Sequence, residues 1–430
     1  MAKDTNISLR NQVMYSVYVR NHTKEGTFKA LQADLDRIKS LGVDIIWLMP
    51  IHPIGIEGKK GSLGCPYSIR DYREVNPCYG TKQDFVELVD RIHELGMKCI
   101  IDVVYNHTSK DSVLASTHSE YFYHKEDGSF GNHVGDWSDV IDLDYNNKEL
   151  WDYQIETLKM WAEIVDGFRC DVAPLVPKEF WLRARKECAE VKEGLIWLAE
   201  SVEVSFIKYL RSIGLNADSD NEVYEAFDIA YDYDIWNFYE GYLKGRVPAS
   251  DYAAVLDMQD GIYPANYVKI RALENHDRPR VMSYVHDIEM VKRLLAFSYF
   301  QKGMAFLYAG EEFGNDKTPD LFETDTINRE SGYDISGYIK KLYEIKKNPI
   351  FSDALYEVSA DKDTFVIKYR KADSVAIGIF NIKGEAADVK ADLTDGRYIN
   401  IINGQSVDVR DGIIDSEIIK RNDGVIEIIK

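Results

Sequence analysis

Short apolar runs alternate with amphipathic helical patterns from the start of the chain, and no other feature limits the fold as much. The run VMYSVYV (Val13 to Val19) precedes TFKALQADLDRIKSLG, in which Phe28, Leu31, Leu35 and Ile38 recur at helical spacing before a stop at Gly42. DIIWLMP (Asp44 to Pro50) follows, then a loop rich in Gly and Pro, the amphipathic KQDFVELVDRIHELG, and the apolar run KCIIDVVYNHTS (Lys98 to Ser109). The alternation resumes with DGFRCDVA (Asp166 to Ala173), LIWLAES (Leu195 to Ser201), a weaker strand near AFDIAYDYD, YVKIRALENHD (Tyr267 to Asp277) and GMAFLYAG (Gly303 to Gly310). Continuously apolar strands interleaved with helices predict a parallel sheet covered on its outer side. Eight such units over roughly 340 residues predict an α/β fold, a (β/α)8 TIM barrel lengthened by insertions.

One insertion is visible in the spacing. Some forty residues separate the third strand from the helix KELWDYQIETLKMWAEI, too many for a plain connection. The sequence thus predicts a barrel over 1–106 and 142–348, with a small subdomain, 107–141, inserted after strand 3. From about Pro349 the pattern changes to TFVIKYR, SVAIGIFNI and GVIEIIK between Gly, Asp and Asn, which predicts a C-terminal antiparallel β-sandwich over 349–430.

Bulk properties narrow the function classes. The net charge of -20 argues against a nucleic-acid partner, which needs a positive footprint. The opening MAKDTNISLRNQVMYSVYV has no apolar core of signal-peptide length, and nowhere do eighteen apolar residues run together. Cys65, Cys78, Cys99, Cys170 and Cys188 are scattered and odd in number, as in reduced thiols, and show no zinc spacing. These features predict a cytoplasmic enzyme with no membrane partner. They leave its oligomeric state open.

In a (β/α)8 barrel the C-terminal strand ends form one rim, where active sites sit. The third strand brings Asp102, Asn106 and His107 there; the fourth brings Arg169 and Asp171; the fifth brings Glu200. The seventh brings Glu274, Asn275, His276 and Asp277. Strand alternation puts Arg169 and Asp171 on one face, so the Arg either keeps a nucleophilic carboxylate ionised or simply closes the barrel as a buried pair. Glu200 ends an uncharged run, which suits a general acid; the alternative is an exposed loop carboxylate or a cap for the helix that follows. Asp277 reads as a second carboxylate for substrate hydroxyls or as an N-cap before Pro279. Two carboxylates with a third assisting fit glycoside hydrolysis. No GxSxG elbow or P-loop lysine motif is present, which weakens acyl transfer and P-loop phosphoryl transfer. A metal-dependent hydrolase using Asp102, His107 and His276 remains a rival from another class.

Taken together, DVVYNH, GFRCDVA, the Glu of WLAES and ENHD resemble the four conserved regions of the α-amylase superfamily, glycoside hydrolase family 13, in the family's order. The resemblance implies a retaining mechanism with Asp171 as nucleophile, Glu200 as acid/base and Asp277 as transition-state stabiliser. It implies that His107, Arg169 and His276 hold the sugar, that Asp102 braces the arginine, and that Tyr67 in CPYSIRDY stacks on the same sugar. No cofactor is required for that chemistry. Some members carry a structural Ca²⁺ beside the inserted subdomain, and Asn106 and Asp142 match two of its ligands. Two oxygen donors fall short of the six to eight that Ca²⁺ takes.

The chain also departs from the family pattern. Val172, Ala173, Pro174 and Leu175 follow Asp171, where many extracellular α-amylases carry Lys and His, so leaving-group contacts differ. The expected substrate is an α-glucan oligosaccharide or polysaccharide, cut at α-1,4 bonds in maltodextrins or starch fragments. An α-1,6-glucosidase, a glucan transglycosylase and a non-catalytic glucan-binding protein are the alternatives.

Overall fold

The computed structural model describes residues 4–134 and 137–430. Ten strands carry the first three quarters of the chain: β1 (Val13–Val17), β2 (Ile45–Leu48), β3 (Lys98–Val103), β4 (His107–Ser109), β5 (Val140–Asp142), β6 (Gly167–Cys170), β7 (Ile196–Ala199), β8 (Ile229–Ala230), β9 (Val268–Arg271) and β10 (Met304–Tyr308). Eight of them close a barrel in the order β1-β10-β9-β8-β7-β6-β3-β2, with parallel neighbours throughout the paired registers. β1, β2, β6, β7, β9 and β10 are buried along their whole length, as a sheet covered on both faces requires. All eight anticipated strands are present, and each is shorter than its apolar run. The seventh stops at Arg271, so ALENHD is loop.

By contact the chain divides into two compact units. The first is built chiefly from Met14–Tyr231 and Pro319–Ile327. Its helix Phe28–Ser40 starts where Thr27 accepts a hydrogen bond from the Ala30 amide, and it buries Phe28, Leu31, Leu35 and Ile38. The helix Lys82–Glu94 opens with a reciprocal capping box between Thr81 and Asp84 and buries Phe85, Leu88, Val89 and Ile92. Fully burying one such side chain stabilises by about 1.5–3 kcal/mol, so these stripes fix which helix face meets the strands. Gly167 begins β6 with φ +156°, and a Cβ there would collide with the Ile196 carbonyl of β7. Within the insertion β4 and β5 pair antiparallel, with His107 opposite Asp142, and a short helix spans Val113–Thr117.

The second unit consists of Asn6–Val13, Asp232–Thr318 and Asn328–Lys430. It contains β9, β10 and eight further strands: β11 (Leu355–Asp361), β12 (Thr364–Lys371), β13 (Ser374–Asn381), β14 (Val389–Lys390), β15 (Gly396–Ile399), β16 (Ser406–Val409), β17 (Ile413–Ile414) and β18 (Val425–Ile429). β11, β12, β13 and β18 form an antiparallel sheet in that order; β14 pairs with β17 and β15 with β16. Ile377, Ile379, Ile426 and Ile428 from the sheet share one apolar cluster with Val389, Val407, Val409 and Ile414 from the two small ladders. On another side Phe365 and Phe380 meet Phe297 of the helix Ile288–Phe300, with ring centroids 4.7 and 5.5 Å away. Among the described residues no helix is long and apolar enough to cross a membrane.

Candidate active site

In the first unit the strand ends gather carboxylates around one guanidinium. Arg169, the third residue of β6, is fully buried. Its Nη1 donates to Asp102 Oδ1 at 2.9 Å and Asp171 Oδ1 at 2.7 Å, and its Nε donates to the Tyr231 hydroxyl at 3.3 Å. Its Nη2 lies 3.0 Å from Glu200 Oε2 as an ion pair without hydrogen-bond alignment. The rings of Trp47, Tyr67 and Tyr231 surround the guanidinium at 5.1–5.6 Å. Burial works against the charge on Arg169, but Asp102 and Glu200 outweigh it and hold its pKa well above the usual arginine value. Breaking a buried pair of this kind typically costs about 3–5 kcal/mol.

The β6 alternation thus operates as the sequence predicts: Arg169 and Asp171 share a face, while Phe168 turns the other way, 5.2 Å from the Trp197 ring. Asp102 is inaccessible; Tyr67 donates its hydroxyl proton to the second oxygen at 3.0 Å. It acts as a brace for Arg169 and Tyr67. Glu200 is also buried, with partners that the apolar run before it conceals: Oε2 accepts from the Val172 amide at 2.8 Å as well as facing Arg169. The helix that follows, Val204–Ser212, has Glu203 and not Glu200 at its N-cap. Val172 holds φ 35° and ψ 45°, a left-handed backbone that β-branched residues avoid. Beyond it Val172 and Leu175 pack on an apolar cluster of Val134, Val202, Ile207, Leu210 and Ala217, so the departure after Asp171 is an apolar wall.

His107 sits at the start of β4, buried, its ring 5.3 Å from that of Trp137. Asn106 Nδ2 lies 3.1 Å from its Nδ1. An amide nitrogen can only donate, so in this contact Nδ1 accepts and Nε2 is the ring nitrogen left to donate.

In the second unit the segment after β9 is a closed loop. Glu274, fully buried, accepts from Arg280 Nη1 at 2.5 Å and from the Val281 amide at 2.7 Å, so its carboxylate ties the two ends of Glu274–Val281 together. Between these ends Asn275 donates to the Tyr233 hydroxyl at 2.8 Å and accepts from the Asp277 amide at 2.9 Å. His276 Nε2 lies 3.0 Å from Asp277 Oδ2; the imidazole is buried and the Asp277 side chain is 41% exposed. The next helix, Val281–Val285, is capped by Arg280, so Asp277 is no N-cap.

Thus Tyr67, Asp102, Arg169, Asp171 and Glu200 come together in the first unit, and His276 and Asp277 in the second. Sequence reasoning missed Trp47, Tyr231, Tyr233 and Arg280. The first three sit among apolar or Asp-rich residues with no signal of their own, whereas Arg280 stands six residues after an otherwise unpaired Glu in ENHDRPR.

The two residues matched to a calcium site do not fit one. Asp142 is buried and both its oxygens accept N–H groups: Oδ1 from Asn132 Nδ2 at 3.2 Å, Oδ2 from the His133 amide at 2.6 Å, with His133 Nδ1 a further 3.1 Å contact. Asn106 Nδ2 is engaged with His107, which leaves its Oδ1 as a single oxygen donor, and with Asp142 that falls well short of the six to eight oxygens Ca²⁺ takes. Among the described residues no group of three or more His, Cys, Asp and Glu side chains is arranged to hold a metal ion.

Buried carboxylates gathered on an arginine at the ends of parallel barrel strands define a class, the barrel glycoside hydrolases that work with pairs of carboxylates. Within that class the chain belongs to the α-amylase family: the alpha amylase catalytic domain matches residues 12–350, and the bacterial alpha amylase C-terminal domain matches 356–418. The crystal structure of an alpha-amylase from Lactobacillus plantarum is 45% identical, with a TM-score of 0.95 over 99% of this chain and 100% of that one. The noncanonic maltogenic alpha-amylase AmyB from Thermotoga neapolitana is 34% identical, with a TM-score of 0.84 over 98% and 97%. Alpha-amylase MalA of Haloarcula japonica is 25% identical over 320 residues, which span 71% of this chain and 44% of that protein.

Proposed function

We propose that this protein hydrolyses α-1,4-glucosidic bonds in maltodextrins or starch fragments with retention of configuration. The observation that carries the reading is Arg169, which reaches Asp171 and Glu200 from one buried guanidinium and is itself braced by Asp102. A carboxylate just past the end of β6 and a second carboxyl just past the end of the neighbouring strand are the two groups a double displacement needs. In this reading Asp171 attacks the anomeric carbon while Glu200 gives its proton to the departing glycosidic oxygen. Glu200 then takes a proton from the water that releases the glycosyl–enzyme ester. Asp277 and His276 serve the transition state and the sugar hydroxyls, His107 donates from Nε2, and Tyr67 offers a ring face to the sugar.

The test is a product time course on maltoheptaose, isomaltose, panose and pullulan, with proton NMR of the first-formed anomer. Mixed maltodextrins released as the α-anomer are expected. Glucose from isomaltose moves the assignment to α-1,6 bonds. Asp171→Asn and Glu200→Gln each lower kcat by about 10³-fold or more with an unchanged circular dichroism spectrum. Near-native turnover by either pure variant sinks the proposal.

A further inference from the structure

The arrangement on Asp142 does more than exclude a calcium site. It supplies from the protein's own N–H groups what a cation would supply, namely a positive end for a buried carboxylate at the root of the insertion. We propose that Asn132 and His133 form a built-in clamp on Asp142 that holds the subdomain root without a bound divalent cation and fixes His107 through the β4–β5 ladder.

The contacts form a closed set. Asn132 Nδ2 reaches both Asp142 Oδ1 and the Val140 carbonyl, so its amide ties β5 to the segment before it. The Asp142 amide donates to the Gly131 carbonyl at 3.0 Å, and the Tyr123 amide donates to the Asp142 carbonyl at 3.0 Å. His133 faces Asp142 on one side and the Tyr123 ring on the other, with centroids 3.9 Å apart. An ionised carboxylate only accepts, so His133 donates from Nδ1. Hydrogen bonds to a charged group are roughly twice as strong as neutral ones and gain further in a buried setting. A cation entering here would compete with the N–H donors already on Asp142 and would have to find at least four oxygens besides Asn106 and Asp142. Asp142 lies directly opposite His107 in the β4–β5 register, so a loosened clamp shifts the imidazole assigned to the sugar.

Differential scanning of the purified chain and metal analysis by mass spectrometry test the first half. The expected result is well under one calcium per chain and the same Tm in 1 mM EDTA and in 5 mM CaCl₂. His133→Ala lowers Tm by roughly 2–5 °C, and His133→Asn, whose amide nitrogen replaces Nδ1, recovers most of the loss. One calcium per chain with a Tm that falls in EDTA overturns the proposal, as does a His133→Ala protein that melts like wild type. The second half rests on the proposed glucan activity: His133→Ala raises KM for maltoheptaose several-fold more than it lowers kcat, and His133→Asn restores it. Equal loss in both parameters removes the link to His107. The melting arm needs no substrate, so its failure and that of the catalytic reading are told apart.

Discussion

At the scale of single residues the site turns on one planar cation. Lysine at 169 keeps the charge but not the fork, and a point charge cannot serve Asp102, Asp171 and Glu200 at once. Arg169→Lys is expected to lower kcat/KM by roughly 100-fold, read by initial rates on a maltodextrin, with a lower Tm from the unpaired carboxylates. Arg169 and Asp171 were legible in the sequence because a four-residue strand with period two leaves little freedom in which side chains share a face. Glu200 was legible as a strand-end carboxyl, but not its partners. The Val172 amide and the guanidinium reach it from a different strand, and local pattern says nothing of such approaches. Tyr231 was illegible for the same reason: AFDIAYDYD has two tyrosines and a phenylalanine around one short strand, and only tertiary placement selects the ring beside Arg169.

Among elements, the loop after β9 is stapled by the Glu274–Arg280 pair, in which burial pushes the Glu274 carboxyl up while Arg280 opposes it. Glu274→Gln leaves Arg280 buried without its counter-charge and is expected to cost about 3–5 kcal/mol. Glu274→Gln with Arg280→Gln should cost less than the sum of the two, by about 0.5–3 kcal/mol in urea unfolding. A second element-scale case is β18. Glu427 there is fully buried with no hydrogen-bond partner on either oxygen among the described residues, and burial pushes its pKa up to about 8, against a small opposing pull from Lys346. Lys346 is buried too, donates to the Gln301 carbonyl and is held well below its usual pKa, chiefly by burial. A carboxyl whose folded pKa exceeds its unfolded one contributes stability at low pH that is lost as pH rises through the folded value. The Tm of Glu427→Gln relative to wild type should therefore climb between pH 5 and pH 8. A flat difference over that window contradicts the assignment. Strand and helix order was legible because hydrophobic period reports it directly; the length of β8 was not, since two paired residues leave almost no period to read.

For the molecule as a whole, eight apolar runs, their spacing and the change of pattern near Pro349 made the barrel, the insertion and the antiparallel C-terminal sheet readable before any coordinates. Pairing across the insertion was not, because β4 and β5 have three residues each and join segments thirty residues apart. The cysteine reading yields a whole-molecule prediction. All five thiols are free, with Cys99, Cys170 and Cys188 buried and Cys78 exposed. Burial pushes the Cys65 thiol up to about 12, and Cys188 likewise. Native protein should react rapidly with one equivalent of a thiol reagent, with all five reacting in guanidinium, and its Tm should not move on adding dithiothreitol. Fast reaction at Cys99, Cys170 or Cys188 in the native state would contradict their burial.

Val172 carries a consequence for anyone seeking a hardier enzyme. A valine held at positive φ stores strain of order 1–2 kcal/mol that glycine there would release, at the expense of the Val172 side chain's packing on its apolar cluster. The same turn aims the amide at Glu200, so the substitution that relieves the strain also loosens the hold on the proposed acid. Durability and turnover are set against each other at a single backbone angle, which makes this a poor first choice for thermal engineering and an informative place to measure the exchange between the two.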